Sequence, residues 1–214
     1  MSSEMTGAAP PRSGRAAWVG LAVLALPTFV VAIDLFVLLL ALPTLAAELG
    51  ADSVQQLWVS DIYGFLLAGF VISMGTLGDR IGRRRLLMIG GALFAVASVL
   101  TAYAPTPELL IVARGGLGVA GATLMPSTIA LIGGLFGDPK QRATAYGIWG
   151  GAFTMGAVFG PVLGGVLLEY FWWGSVFLIA VPFLVLMLVL APRYLPESAI
   201  RTRAGWILPA WGCR

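Results

Sequence analysis

The sequence contains no histidine and a single cysteine, Cys213, next to its last residue. An internal disulfide is excluded, and so is a zinc site built from cysteine and histidine. Charge is nearly as scarce, since Asp, Glu, Lys and Arg make up 11% of the 214 residues, against roughly 25% in soluble domains. No G-x-x-x-x-G-K-[ST] phosphate loop occurs, which disfavours a self-contained ATP-driven pump. No Ser/His/Asp, Cys/His or metal-binding constellation marks an enzyme, and neither a cofactor nor a metal is expected.

What is present is apolar. Hydrophobic residues make up 59% of the chain and the mean hydropathy is +0.93, so the expected solvent is a lipid bilayer. Apolar segments at roughly 17–44, 57–77, 86–104, 108–132, 144–168 and 173–191 each approach the ~20 residues that cross a membrane. The first is too long for the apolar region of a signal peptide and contains Asp34, so it reads as a retained span. Pro43, the stretch Pro105–Pro107, the turn Gly137–Pro139 and Pro192 are expected to stop helices. The domain expectation is a tail over 1–16, a transmembrane domain over 17–191 and a second tail over 192–214.

Net charge is +3, but the basic residues form short clusters between spans, so nucleic acid is not an expected partner. Arg12 and Arg15 precede the first span, and Arg80, Arg83, Arg84 and Arg85 lie between the second and third. Lys140 and Arg142 precede the fifth, and Arg193, Arg201, Arg203 and Arg214 follow the sixth. With six alternating helices all of these fall on one side. The opposite links carry Glu48, Asp52, Glu108 and Glu169 with no basic residue, which puts both termini in the cytoplasm of a multi-pass protein of the cytoplasmic membrane. Trp18, Trp58, Trp172, Trp173 and Tyr194 fall at predicted helix ends, where interfacial anchoring is expected, while Trp149 sits deeper.

Four features carry chemistry. The link GTLGDRIGRRR, Gly75 to Arg85, has Gly75, Gly78 and Gly82 for close backbone approach and a tight turn, and Asp79 to accept charge-assisted hydrogen bonds from a nearby Arg, the candidates for the motif being Arg80, Arg83 and Arg84, or from a helix N-terminus. In the fourth span Arg114 lies about six residues, or ~9 Å of rise, from the outer end, a depth at which a charge needs a cavity or a partner. In the fifth, Gly156, Gly160 and Gly164 recur at intervals of four, with Gly165 and Pro161 beside them, a small-residue stripe for helix packing with a kink signal inside it. In the first, Asp34 sits slightly past the middle, where an unpaired carboxylate costs several kcal/mol. A desolvated carboxyl can hold a proton or accompany a cation but not both comfortably, and that exclusion is the logic of antiport. Asp61, about one turn inside the second span, reads either as a functional acid or as a hydrated interfacial one.

Together these motifs resemble the major facilitator superfamily, and within it the fourteen-helix drug/proton antiporters that export quaternary ammonium compounds and other lipophilic cations. The resemblance covers nearly all of residues 17–197 and departs from the subfamily at Phe36, where Thr is common. It implies an all-α membrane fold, a six-helix bundle built as a 3+3 inverted repeat, corresponding to the N-terminal half of the carrier. The Gly75–Arg84 motif would then be a conformational latch, Arg114 a proton-coupling residue and Gly156–Gly165 the antiporter motif. Small lipophilic cations and protons are the implied partners. Because the sequence shows no seventh span, two further expectations stand: a homodimer or a separate C-terminal half completes the path, or the chain is a truncated product that inserts without transporting. A metabolite symporter is the remaining alternative, disfavoured by the helix-five stripe.

Overall fold

A computed structural model describes residues 14–195. Arg12, Arg201, Arg203, Cys213, Arg214 and the closing WILPAWGCR segment lie outside the described residues. Within them the chain is helical: α1 Arg15–Leu49, α2 Ser53–Ile81, α3 Arg83–Ala102, α4 Pro107–Leu135, α5 Pro139–Tyr170, and a last span divided into α6 Ser175–Leu178 and α7 Ala180–Tyr194. Counting α6 and α7 together gives six helices long and apolar enough to cross a membrane, so this is a multi-pass membrane protein.

Capping chemistry sets several of the ends. Gly50 closes α1 in the left-handed conformation at φ 65°, and Asp52 opens α2 with a reciprocal capping box to Gln55. Thr106 and Asp138 cap α4 and α5, each followed by proline at the first helical position, where its missing N–H costs nothing. The link between α2 and α3 is one residue, Gly82, at φ 107° and ψ 130°, a conformation that favours glycine strongly.

Three sequence expectations fail for physical reasons. Pro43 and Pro192 do not stop their helices, because α1 continues to Leu49 and α7 to Tyr194; a spanning helix tolerates proline where neighbours and local adjustment satisfy the freed backbone. The supposed loop from Gly75 to Arg85 is mostly helix, with only Gly82 outside α2 and α3. Trp173 is not an exposed interfacial ring, being 7% exposed and packed edge-to-face on Phe177.

Packing repeats in pairs. The most extensive contacts are α1 with α5 and α2 with α4, followed by α3 with α4 and α1 with α7. Exchanging the first three spans with the last three maps the α1–α5 pair onto α4–α2, and α3–α4 onto the last span and α1. That is the contact pattern of a 3+3 inverted repeat. Glycine rows make both tight pairings: a Cβ on Gly156 would lie 2.6 Å from the Phe29 carbonyl oxygen, and one on Gly164 would lie 2.6 Å from Val37 Cγ2. On α4, a Cβ at Gly118 would lie 2.5 Å from the Tyr63 carbonyl oxygen. In lipid, where helices gain little by hiding apolar surface from one another, such close approach is the main source of association.

Burial is uneven. In the most apolar stretches of α1 and α4, 61% of residues are buried, against 11% for α2 and 17% for α5, so α2 and α5 each seal one partner and leave a broad apolar face uncovered. Replacing Gly156 by Val should force α1 and α5 apart and cost about 1–3 kcal/mol by overpacking. Gly150→Ala, where a Cβ meets nothing within 4 Å, should not lower stability, since alanine is the better helix former. Thermal unfolding in lipid nanodiscs checks the pair; equal melting of the two variants would contradict the packing argument.

Candidate functional site

The α1–α4 contact at the middle of the bundle holds its two buried charges. Among the described residues, Asp34 and Arg114 are the only ionisable aspartate, glutamate, lysine or arginine side chains that are buried, at 4% and 1% exposure. They meet: Arg114 Nη1 donates to Asp34 Oδ2 at 2.8 Å. Arg114 Nε donates to the backbone carbonyl of Val59 on α2 at 3.3 Å. Its guanidinium carbon lies 4.8 Å from the ring centroid of Tyr63 on α2 and 5.8 Å from that of Phe177 on α6. Three elements therefore converge on one cation carried by a fourth.

Each partner is placed by its own helix. Arg114 lies two turns into α4, and Gly115, Gly118 and Gly121, over the two turns that follow it, let α2 come close enough for Val59 and Tyr63 to reach it. Asp34 lies beside Val30 and Ile33 of α1, facing the last span across a narrow gap. The gap beside it, lined by Val30, Ile33, Val176, Phe177 and Ala180, is too tight to admit a water molecule. A carboxylate and a guanidinium removed from water each lose several kcal/mol of solvation, which their attraction offsets only when geometry is good and the remaining donors are satisfied. The direct ion pair, the Val59 carbonyl and the two rings supply that here.

Asp61 stands apart from this centre. It is exposed, on the open side of α2, in a groove of about 240 Å³ formed with Val54, Leu57, Trp58 and Phe65. Val59 and Tyr63 of the same helix are fully buried.

At the opposite end, Asp79 Oδ1 accepts from Arg83 Nη2 at 2.6 Å across the Gly82 turn. The Arg83 side chain lies over Gly78, where a Cβ would be 3.0 Å from Nη1. Arg84 Nη1 donates to the Leu195 carbonyl at 3.1 Å, tying the start of α3 to the end of α7. Arg80 is exposed, and Gly75 faces α4, where a Cβ added to it would lie 3.8 Å from Pro126 Cβ. In the stripe, Gly156, Gly160 and Gly164 face α1 and are buried, whereas Pro161 and Gly165 are only half-buried and α5 continues through Pro161. Phe36 of α1 packs edge-to-face on Phe153 of α5. Trp149 donates through Nε1 to Thr128 of α4 at 3.2 Å.

Sequence reasoning missed the Val59 carbonyl, Tyr63 and Phe177. A backbone carbonyl leaves no sequence signal, and Phe177 reads as another apolar residue. Tyr63 did carry one: a phenol deep in an apolar span has a polar tip that calls for a partner.

The Major Facilitator Superfamily profile matches residues 24–206. The chain belongs to that superfamily. The multidrug efflux pump LfrA of Mycolicibacterium smegmatis is 54% identical over 187 residues, covering 87% of this chain and 37% of LfrA. The methyl viologen resistance protein SmvA of Salmonella typhimurium is 46% identical, covering 86% of the chain and 37% of SmvA. The chain thus spans a little over a third of the length of these relatives. Among solved structures, a bacterial homologue of the human lysosomal transporter Spinster, inward-facing and unoccupied, superposes with a TM-score of 0.70 at 19% identity, covering 87% of this chain and 45% of that one. The peptide transporter POT superposes at 0.72 with 22% identity, covering 85% and 39%. The fold of this superfamily member is a six-helix half of such a transporter.

Removing one member of the buried pair should cost more than removing both. Arg114→Ala, which strands Asp34, is expected to lose about 3–5 kcal/mol, and Asp34→Ala/Arg114→Ala distinctly less. A double-mutant cycle of unfolding in lipid measures this; additive losses would mean the pair is not coupled.

Proposed function

We propose that this chain forms the N-terminal half of a proton-coupled exporter of lipophilic cations. The observation that carries the reading is the Asp34–Arg114 pair, a carboxylate and a cation at 2.8 Å inside a span. While Asp34 is ionised the pair is neutral as a whole. A proton on Asp34 leaves Arg114 without its counter-ion, and a cationic substrate near Asp34 competes for the same carboxylate. Proton and drug are therefore alternative occupants of one acid, and movement of the helices is what opens it, since the closed gap beside it does not admit water. The driving force is proton movement into the cell, worth about 2.3 kcal/mol per charge for each 100 mV.

The relatives support export rather than uptake. LfrA is named for multidrug efflux and SmvA for resistance to methyl viologen, an aromatic dication of the class a buried carboxylate suits. Enzyme activity forms no part of this reading.

The remaining motifs take mechanical roles. The glycine row on α5 lets it slide or tilt against α1, which bears Asp34. The Asp79–Arg83 pair and the Arg84–Leu195 bond hold the cytoplasmic ends of α2, α3 and α7 together until the carrier switches. Asp61 supplies a second, hydrated carboxylate on the open face of α2. In this orientation both termini are cytoplasmic and the membrane is the cytoplasmic one. The uncovered faces of α2 and α5 take a second six-helix unit, either a C-terminal half or a second copy of this chain, because the substrate path of this fold lies between two halves.

Cells in which the chain is assembled with its second six-helix unit, loaded with a fluorescent lipophilic cation, should expel it, and an uncoupler should stop them. Asp34→Asn should reduce the efflux at least tenfold per molecule of inserted protein. Full efflux from Asp34→Asn, or efflux insensitive to the uncoupler, would overturn the reading.

A further inference from the structure

Tyr63 is a fully buried residue that the exchange between proton and drug does not use directly, and it lies against the buried Arg114 guanidinium. Its hydroxyl makes no hydrogen bond among the described residues. An unsatisfied buried phenol is costly, so the residue is not held there by its polar tip. Two glycines of α4 make its space: a Cβ at Gly121 would lie 3.2 Å from the Tyr63 hydroxyl oxygen, and Gly118 lets the Tyr63 backbone approach α4. What the packing delivers is the ring, with the Arg114 guanidinium carbon 4.8 Å from its centroid.

An aromatic face attracts a guanidinium through the ring quadrupole, and more strongly where water is absent. While Asp34 is ionised this attraction is secondary to the ion pair. Once Asp34 is neutral, Arg114 keeps only the Val59 carbonyl, the Tyr63 ring and the more distant Phe177 ring. Without them, an arginine about two turns inside the span could swing toward the outer interface on its long stem. The next protonation cycle would then begin without it in place.

We propose that Tyr63 is a positioning residue whose ring face retains the Arg114 guanidinium at the centre of the bundle while Asp34 is neutral. The inference rests on the reading of Asp34 as the exchanging acid, and it concerns the ring rather than the hydroxyl. Among the described residues no other charged side chain is buried at the site. α1 contributes Asp34, α4 contributes Arg114, α6 and α7 present apolar residues, and Asp61, two residues away on α2, is on the exposed side.

The test is spectroscopic and needs no transport. The chain, carrying ¹⁵N-arginine in lipid nanodiscs, is titrated in pH while the Arg114 Nε–H resonance is followed, assigned by its disappearance in Arg114→Lys. In the wild type the resonance should be displaced upfield by the Tyr63 ring and should respond to protonation of Asp34, with the response missing in Asp34→Asn. Tyr63→Phe should preserve both the displacement and the titration midpoint. Tyr63→Leu should lose the displacement and move the midpoint about one pH unit toward acid, a tenfold change of the size a desolvated cation–ring contact supplies. The ring proposal is overturned if Tyr63→Leu titrates at the wild-type midpoint, or if Tyr63→Phe behaves like Tyr63→Leu. A resonance that shows the ring displacement and its loss in Tyr63→Leu, yet never titrates, would instead sink the assignment of Asp34 as the exchanging acid. The two failures are therefore distinguishable.

Discussion

A charge inside a lipid bilayer has to be neutralised, and in this chain a single contact between α1 and α4 does it. Asp34 and Arg114 are each tolerable there because of the other. Much of the surrounding packing follows from that demand. α2 must come close enough to offer the Val59 carbonyl, which requires the glycines of α4, and the last span closes over the pair with Phe177. The site is thus assembled from four elements rather than carried by one, so a shift of any of them alters the contacts that the pair depends on. That dependence is what a carrier needs in order to couple an ionisation to a movement.

The internal symmetry explains how six helices build this centre. In the 3+3 arrangement α1 and α4 occupy equivalent positions, each with a close partner, α5 and α2, packed through glycine rows. The two buried charges lie on these two equivalent helices, so the pair joins the two repeats at the middle of the bundle. The partner helices face outward with most of their apolar surface uncovered. α2 and α5 are therefore the elements through which a second half would sense the state of the pair: α2 touches Arg114 directly, and α5 bears on the Asp34 helix.

Much of this was legible in the sequence, for physical reasons that differ by feature. Six spans and their order follow from hydropathy, because the bilayer imposes a minimum apolar length. Asp34 and Arg114 stood out singly, since charges are costly in spans, but they are eighty positions apart and no local pattern says that they touch. The glycine stripe gave a packing surface without naming α1 as its partner. Pro43 and Pro192 misled because rules learned from soluble helices overrate proline as a stop within a membrane bundle. Trp173 misled because an aromatic at a helix end reads as an interfacial ring, while its burial against Phe177 depends on tertiary packing. Tyr63 was passed over because its neighbour Asp61, a charge, drew attention to the other side of the same helix.

Coupling by this bundle requires that Asp34 change its protonation within the folded state. Infrared difference spectroscopy of the chain in lipid, stepped through pH, measures it directly. A protonated-carboxyl band that appears as pH falls, is present in the wild type and is missing from Asp34→Asn, is the expected result. A wild-type spectrum in which no such band is lost on substitution of Asp34 would contradict it, and would make the Asp34–Arg114 pair a permanent strut rather than an exchange site.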